Sequence, residues 1–196
     1  MKIKSIKPLE TLKYLKAYGI HYLTKNGNEA YWELVSRAGL DRLEREIYEG
    51  EVFTDGAMIV ASNYERTCVV MIKEFRVSAG RYIYMFPAGL IDEGENIEDA
   101  SVREFKEETG LIFEPKHISR ARYVSVGIVN ERVNVAYGNY SGTPTKAYQS
   151  EHEDADIVIV DRAMARDILS NEEISIRSAL ILENFFKLNA FIEGEF

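Results

Sequence analysis

The sequence has a single cysteine, Cys68, in 196 residues, which excludes an intramolecular disulfide. Cys68 opens the apolar run Cys68-Val69-Val70-Met71-Ile72 and is expected to be a small buried hydrophobe. Basic residues are in deficit: 24 Lys and Arg stand against 32 Asp and Glu, for a net charge of -8. A nucleic-acid surface is normally basic, so that partner class is not expected. A polyanionic substrate would also be repelled unless metal ions neutralised its site. No apolar run approaches the ~20 residues needed to span a bilayer, so no membrane association is expected. The start, MKIKSIKPLE, lacks the apolar core of a signal peptide. No internal repeat or low-complexity segment is visible. These absences leave a cytoplasmic protein as the expectation.

What is present is an ordinary globular composition, 46% hydrophobic and 29% charged, able to bury a sizeable core. The length suits one domain, or one domain with an extension. Within it, Gly89 to Leu111 reads GLIDEGENIEDASVREFKEETGL. From Asp92 to Glu108 this stretch carries eight carboxylates against two basic residues, Arg103 and Lys106. Pro87-Ala88-Gly89 marks a turn. Asn96 suits an N-cap with Asp99 three residues on, and Gly110 suits a left-handed C-cap. The pattern predicts a loop feeding a short helix, with Ala100, Phe105 and Val102 toward a core and the acids aimed at one point.

Glu104, Glu107 and Glu108 stand at i, i+3 and i+4, on one helical face, where like charges repel. A solvated acidic face is one reading of such a run. The other is a cation site, because hard ions such as Mg²⁺ need oxygen ligands. Glu104 and Glu108 lie one turn apart, about 6 Å along the axis at ~1.5 Å per residue. That separation lets them share one ion or bridge two. Arg103 can hold a carboxylate bidentately and fix its rotamer.

The spacing Gly89, five residues, Glu95, seven residues, Arg103-Glu104-Phe105, one residue, Glu107-Glu108, one residue, Gly110-Leu111 resembles the complete Nudix box, matching all seven fixed polar or glycine positions. The resemblance implies an α/β (α+β) Nudix fold, a mixed β-sheet in an α/β/α sandwich. It further implies a hydrolase using Mg²⁺ or Mn²⁺, in which Glu104, Glu107, Glu108 and Arg103 are catalytic. Glu104, Glu108 and the Ala88 carbonyl would ligate metal, and Gly89 would let the backbone approach it.

Leu9, Leu12 and Leu15 after Pro8 predict a short helix. Ile20 to Lys25, the turn Asn26-Gly27-Asn28 and Ala30 to Arg37 predict a hairpin. This part resembles the N-terminal sheet of nucleotide-sugar Nudix hydrolases, which helps dimerise and reaches the partner's site. By that likeness Trp32 and Arg37 are substrate-binding candidates, with strand packing as the alternative for Trp32. Two strands follow, Ala57 to Ser62 and Thr67 to Phe75. Glu74-Phe75-Arg76, with Phe86-Pro87-Ala88-Gly89 beyond, is similar to the ADP-ribose pyrophosphatase branch, which implies a phosphate contact for Arg76; a structural salt bridge is the alternative. Strands are expected at Ile118 to Val126, Arg132 to Tyr140 and Ile157 to Val160.

Ser125-Val126-Gly127 departs from the Ser-Pro-Gly of that branch, and Glu131 stands at the spacing of its loop glutamate, which implies a substrate contact, with an ordinary surface charge as the alternative. Glu151-His152-Glu153-Asp154 matches the branch's acidic loop, making Glu151 the candidate general base and Glu153 an auxiliary metal ligand. His21, His117 and His152 are given no catalytic role. Asp161 to Leu169 and Ser175 to Phe191 predict amphipathic helices.

The expectation is therefore two parts, 1–50 as an N-terminal dimerising extension and 51–196 as the hydrolase domain of a homodimer. The expected reaction splits a nucleoside diphosphate sugar, ADP-ribose or a related ADP-sugar, into a nucleoside monophosphate and a sugar phosphate. The alternatives are GDP-mannose, a dinucleotide or an oxidised nucleoside triphosphate as substrate, or a ligand-sensing module without turnover.

Overall fold

The computed structural model describes residues 2–188, and within them not the side chains of 2–4 and 6–11. In chain order the first elements are β1 (Lys2–Thr11), β2 (Lys16–Leu23), β3 (Glu29–Ser36), α1 (Leu40–Glu44), β4 (Gly56–Ser62), β5 (Cys68–Arg76), β6 (Arg81–Met85) and β7 (Ala88–Leu90). They are followed by α2 (Ile97–Thr109), β8 (Ile112–Ile118), β9 (Arg122–Tyr123), β10 (Arg132–Ser141), β11 (Ala155–Asp161), α3 (Arg162–Asn171) and α4 (Ile176–Phe186). Contacts divide the chain into two compact units, 1–55 with 120–134, and 56–119 with 135–196. The first unit thus takes in 120–134, which a division at residue 50 assigns to the hydrolase part.

In the first unit β1, β2 and β3 form an antiparallel sheet in that order. The β2–β3 turn uses Gly27 at φ +83°, with the Gly27 N–H donating to the Thr24 carbonyl at 3.0 Å. Tyr18, Ile20 and Leu34 pack with Ala38 and Leu43 into a small core. The helix expected after Pro8 is absent: residues 2–11 are strand, paired with β2 from Lys2↔Leu23 to Thr11↔Lys16. Leu9 to Leu15 spans under two helical turns, too short to offset the cost of helix nucleation against a full ladder of strand bonds. Leu12 and Leu15 are exposed.

The second unit is built on the larger sheet, with path order β11-β5-β4-β10-β8 and with β6 on β5 and β7 on β4. Alternation along the strands fills both faces. Ile59, Ala61 and Val70 meet Phe105 of α2 on one face. Met58, Val60, Val69 and Met71 meet Ala165, Ile168, Leu182 and Phe186 of α3 and α4 on the other. This is the expected layered arrangement of helices on both faces of a mixed sheet.

Several boundaries differ from the expectation. The strand after α2 is Ile112–Ile118, and of 118–126 only Arg122–Tyr123 is strand beyond it. Pro115 is tolerated in β8 because that strand ends the sheet's path, where a missing donor costs least. Val102 is exposed rather than core-facing, and Cys68 is half-buried at a strand end. The last helix stops at Phe186, with Lys187 at φ 53°; residues 189–191 lie outside the described residues. No helix among the described residues is long and apolar enough to cross a membrane.

Gly110 ends α2 at φ +69°, and a Cβ there would lie 2.7 Å from the Thr145 carbonyl oxygen. Gly110→Ala is therefore expected to cost about 1–2 kcal/mol from the left-handed backbone alone. The backbone clash adds to that. Urea denaturation of the variant checks this, and a loss below about 0.5 kcal/mol would contradict it.

Candidate active site

The site grows out of the capped start of α2. Asn96 Oδ1 accepts the N–H groups of Glu98 and Asp99 at 3.0 and 2.9 Å, and its Nδ2 donates to Asp99 Oδ2 at 2.7 Å. Those bonds satisfy orphan donors at the helix start. Burial of Ala100 and Phe105 then fixes the helix rotation and turns the carboxylates away from the core.

Arg103 is the hub of the acidic face. It holds Glu95 bidentately, Nε to Oε1 at 2.9 Å and Nη2 to Oε2 at 2.8 Å. Its Nη1 donates to Glu104 at 2.8 Å and Glu107 at 3.2 Å, and Nη2 also reaches the Leu90 carbonyl at 3.1 Å. The guanidinium holds the Glu95 carboxyl well below the usual range, at about 2. The acids are consequently not gathered on one empty point as expected. Repelling carboxylates recruit the nearest cation, and here that cation is Arg103. Among the described residues no cluster of three or more His, Cys, Asp or Glu side chains already surrounds a single centre.

Arg103 does not neutralise the whole group. Burial raises the Glu104 carboxyl above its ordinary value against the pull of Arg103, and Glu107 and Glu153 add repulsion. Glu108, 9% exposed, is pushed well above the ordinary range by burial, then by Glu104 and Glu74. The Ala88 N–H, donating to Glu108 Oε2 at 3.1 Å, offsets part of that, and Glu153 adds to it. The Glu104 carboxylate lies directly over Gly89, where a Cβ would fall 1.8 Å from its Cδ. β7 holds Gly89 there by pairing it with Ala57 of β4. The side-chain donors are carboxylate oxygens, Glu104 and Glu108 are poorly hydrated, and Arg103 and the Ala88 N–H compensate their mutual repulsion only in part. That combination fits a hard divalent cation.

Glu74 was not among the sequence candidates, although Glu74-Phe75-Arg76 drew attention to its neighbour. The signal available was alternation: from Val70 under α2, every second residue of β5 reaches the same face, which brings Glu74 beside Glu108. Gln149 was also missed. Its Nε2 donates to the Glu108 carbonyl at 2.7 Å and to the Ala155 carbonyl at 3.2 Å, tying the acidic loop to the end of α2. The Tyr82 hydroxyl, 2.5 Å from Asp154 Oδ2, and the Phe75 N–H, 2.9 Å from the Asp154 carbonyl, fix the other end of that loop. In this loop Glu153 is half-buried and accepts from the Ser150 N–H at 2.7 Å. The Glu151 side chain is 86% exposed, 3.6 Å from His152.

Arg76 donates to both oxygens of Glu74, at 2.9 and 3.0 Å. Trp32, Arg37 and Glu131 belong to the first unit. Trp32 is 48% exposed on β3, and Arg37 Nε donates to Glu131 Oε1 at 2.8 Å.

The family model described as the NUDIX domain matches residues 52–177. The ADP-sugar pyrophosphatase of Mus musculus is 28% identical over 130 residues, 66% of this chain and 57% of that protein. The ADP-ribose pyrophosphatase of Escherichia coli K12 is 27% identical over 149 residues, 71% of each. The chain spans about half the length of the animal relatives it matches, 42% of a Caenorhabditis elegans protein named as a nudix hydrolase and 57% of the mouse protein. A solved structure described as an ADP compounds hydrolase superposes with a TM-score of 0.68, covering 93% of this chain and 91% of that one. At 19% identity it speaks for the fold alone.

Proposed function

The chain belongs to the Nudix family, and from that premise we propose that it hydrolyses the diphosphate of a nucleoside diphosphate sugar, ADP-ribose or a related ADP-sugar. The products are a nucleoside monophosphate and a sugar phosphate. The observation that carries this reading is the mutually repelling pair of half-buried Glu104, whose carboxylate lies over Gly89, and buried Glu108. A hydrolase acting on a polyanion needs such a cation-gathering centre in a chain of net charge -8. The names of the mouse and bacterial relatives supply the substrate class.

Glu104, Glu108 and the Ala88 carbonyl would hold Mg²⁺, with Mn²⁺ as the substitute, and Glu153 would be the auxiliary ligand. A bound divalent ion supplies positive charge to the diphosphate and acidifies water. Arg103 sets the rotamers of Glu104 and Glu107, while Gly89 leaves the space that the Glu104 carboxylate occupies. Arg76, whose Nη1 faces Glu74, keeps Nε and Nη2 for a phosphate oxygen. Water attacks one phosphorus, the bridging P–O bond breaks, and Glu151 accepts the water's proton as general base. A loop suits a base that moves in on binding. Trp32, Arg37 and Glu131 are proposed substrate contacts, and the active form is proposed to be a cytoplasmic homodimer.

Glu151→Gln is expected to lower kcat by about 10²-fold or more with the Mg²⁺ dependence unchanged. If the rate holds and Glu153→Gln loses it instead, the base is Glu153. The reading as a whole is tested by product analysis with Mg²⁺ on ADP-ribose, other ADP-sugars, GDP-mannose, a dinucleotide and an oxidised nucleoside triphosphate. Preferred cleavage of the ADP-sugars, abolished by EDTA, is expected. Preference for another nucleotide would move the substrate assignment, and no turnover of any would contradict hydrolysis.

A further inference from the structure

A cavity of about 390 Å³ lies wholly within the second unit, on the face of the larger sheet opposite α2. Val60 of β4 and Tyr137 of β10 line it; their neighbours Ile59 and Ala136 pack under α2 on the other face. It therefore has no part in the carboxylate site. Its size falls in the range of small-molecule pockets.

The lining is chemically one-sided. Arg66, Lys116 and His117 border it and no carboxylate does, in a chain where acids outnumber bases 32 to 24. Lys116 is ion-paired along its own strand with Glu114, which does not line the cavity. Among the described residues the Arg66 guanidinium has no carboxylate partner. Arg66 also sits at φ 55°, a left-handed conformation that glycine or asparagine would adopt more easily. Its N–H donates to the Asn63 carbonyl at 3.0 Å, so the turn presents the long cationic side chain at the cavity's edge. The flat elements are equally specific. The His117 ring stacks on Tyr137 with centroids 6.1 Å apart and planes 25° from parallel, and Phe185 lines the cavity from α4. The Asn184 amide completes it, with the Asn139 carboxamide, whose Nδ2 already donates to the Ser62 and Asn63 carbonyls, offering its Oδ1.

Cationic groups for an anion, aromatic faces for a planar ring and amides for its edge stand together in one cavity. We propose that it is a second ligand site, for a phosphorylated heteroaromatic compound of mononucleotide size. The site does not depend on the hydrolytic reading, because none of its residues belongs to the carboxylate cluster.

Isothermal titration of the full chain in EDTA, with adenosine monophosphate, adenosine and inorganic phosphate as separate probes, tests this. EDTA removes the metal-dependent contribution of the carboxylate site. Adenosine monophosphate should bind saturably, with adenosine and phosphate each about tenfold weaker or more. The Arg66→Gln, Lys116→Gln double variant should weaken it by about tenfold or more, and Glu108→Gln should leave it unchanged. In the parent protein, proton NMR should show the His117 ring resonances shifting with saturation while those of His21 and His152 stay. That second readout needs no variant to fold. Absence of saturable binding, phosphate binding as tightly as the nucleotide, indifference to the double variant, loss in Glu108→Gln, or an unmoved His117 resonance would each overturn the proposal.

Discussion

Replacing Glu108 with glutamine is expected to lower kcat on the order of 10³-fold, matching the several kcal/mol of charge stabilisation a bound cation contributes. The metal-free protein should meanwhile be as stable as the parent or more so. The reason lies in the burial of this carboxyl between Glu104 and Glu74, which pushes its proton affinity well above the ordinary range. As pH rises through that ordinary range the unfolded chain releases the proton while the native chain keeps it. The native state then binds more protons, so the unfolding free energy falls with pH until the folded group also ionises. Glutamine carries no such penalty. In EDTA, the Tm of Glu108→Gln should therefore equal the parent's in acid and exceed it increasingly toward neutral pH. Glu95 acts in the opposite direction and in another window: Arg103 holds it at about 2, so its contribution is lost progressively as pH falls from the ordinary carboxylate range toward that value. Adding Mg²⁺ should raise the parent's Tm more than the variant's, because the ion binds the native site. A variant with near-parental turnover would remove Glu108 from the reaction.

Gly89→Ala should separate the site from the fold in a second way. The added methyl would lie 1.8 Å from Glu104 Cδ and 2.1 and 2.2 Å from its oxygens, so the carboxylate must leave. The obstruction is the far end of a flexible side chain, and the Gly89 backbone is not in a left-handed conformation. The expected stability change is accordingly small, under about 1 kcal/mol. The rate, by contrast, should fall about 10²-fold or more if Glu104 is the proposed ligand, since a displaced carboxylate loses the geometry on which cation chemistry depends. Denaturation curves beside steady-state kinetics measure both. A large stability loss with a proportionate activity loss would mean that Gly89 serves packing and not the site.

The sequence disclosed most where local chemistry decides the outcome. Asn96 capped its helix through its side-chain oxygen and Gly110 through the left-handed backbone that its lack of a side chain permits, and the Asn-Gly turn closed the β2–β3 hairpin. The apolar run from Cys68 to Ile72 lies within β5, as its composition led one to expect. What escaped notice depended on tertiary partners. Residues 2–11 became strand because β2 was there to pair with them, and β8 accepted Pro115 because it lies at the end of the sheet's path. The carboxylate spacing was legible, and so was the bidentate grip of Arg103 on one carboxylate, but not that its Nη1 would also reach Glu104 and Glu107. Glu74 and Gln149 come to Glu108 from strands and loops 34 and 41 residues away, a proximity that only the folded sheet creates.

Divalent-cation binding by the carboxylate oxygens of α2 is the proposed centre of the chemistry, and Mn²⁺ titration of the metal-free protein, followed by electron paramagnetic resonance without substrate, tests it most directly. Saturable binding is expected in the parent and its loss in the Glu104→Gln, Glu108→Gln double variant, with the variant still folded by circular dichroism. The same Mn²⁺ affinity in both proteins would contradict it.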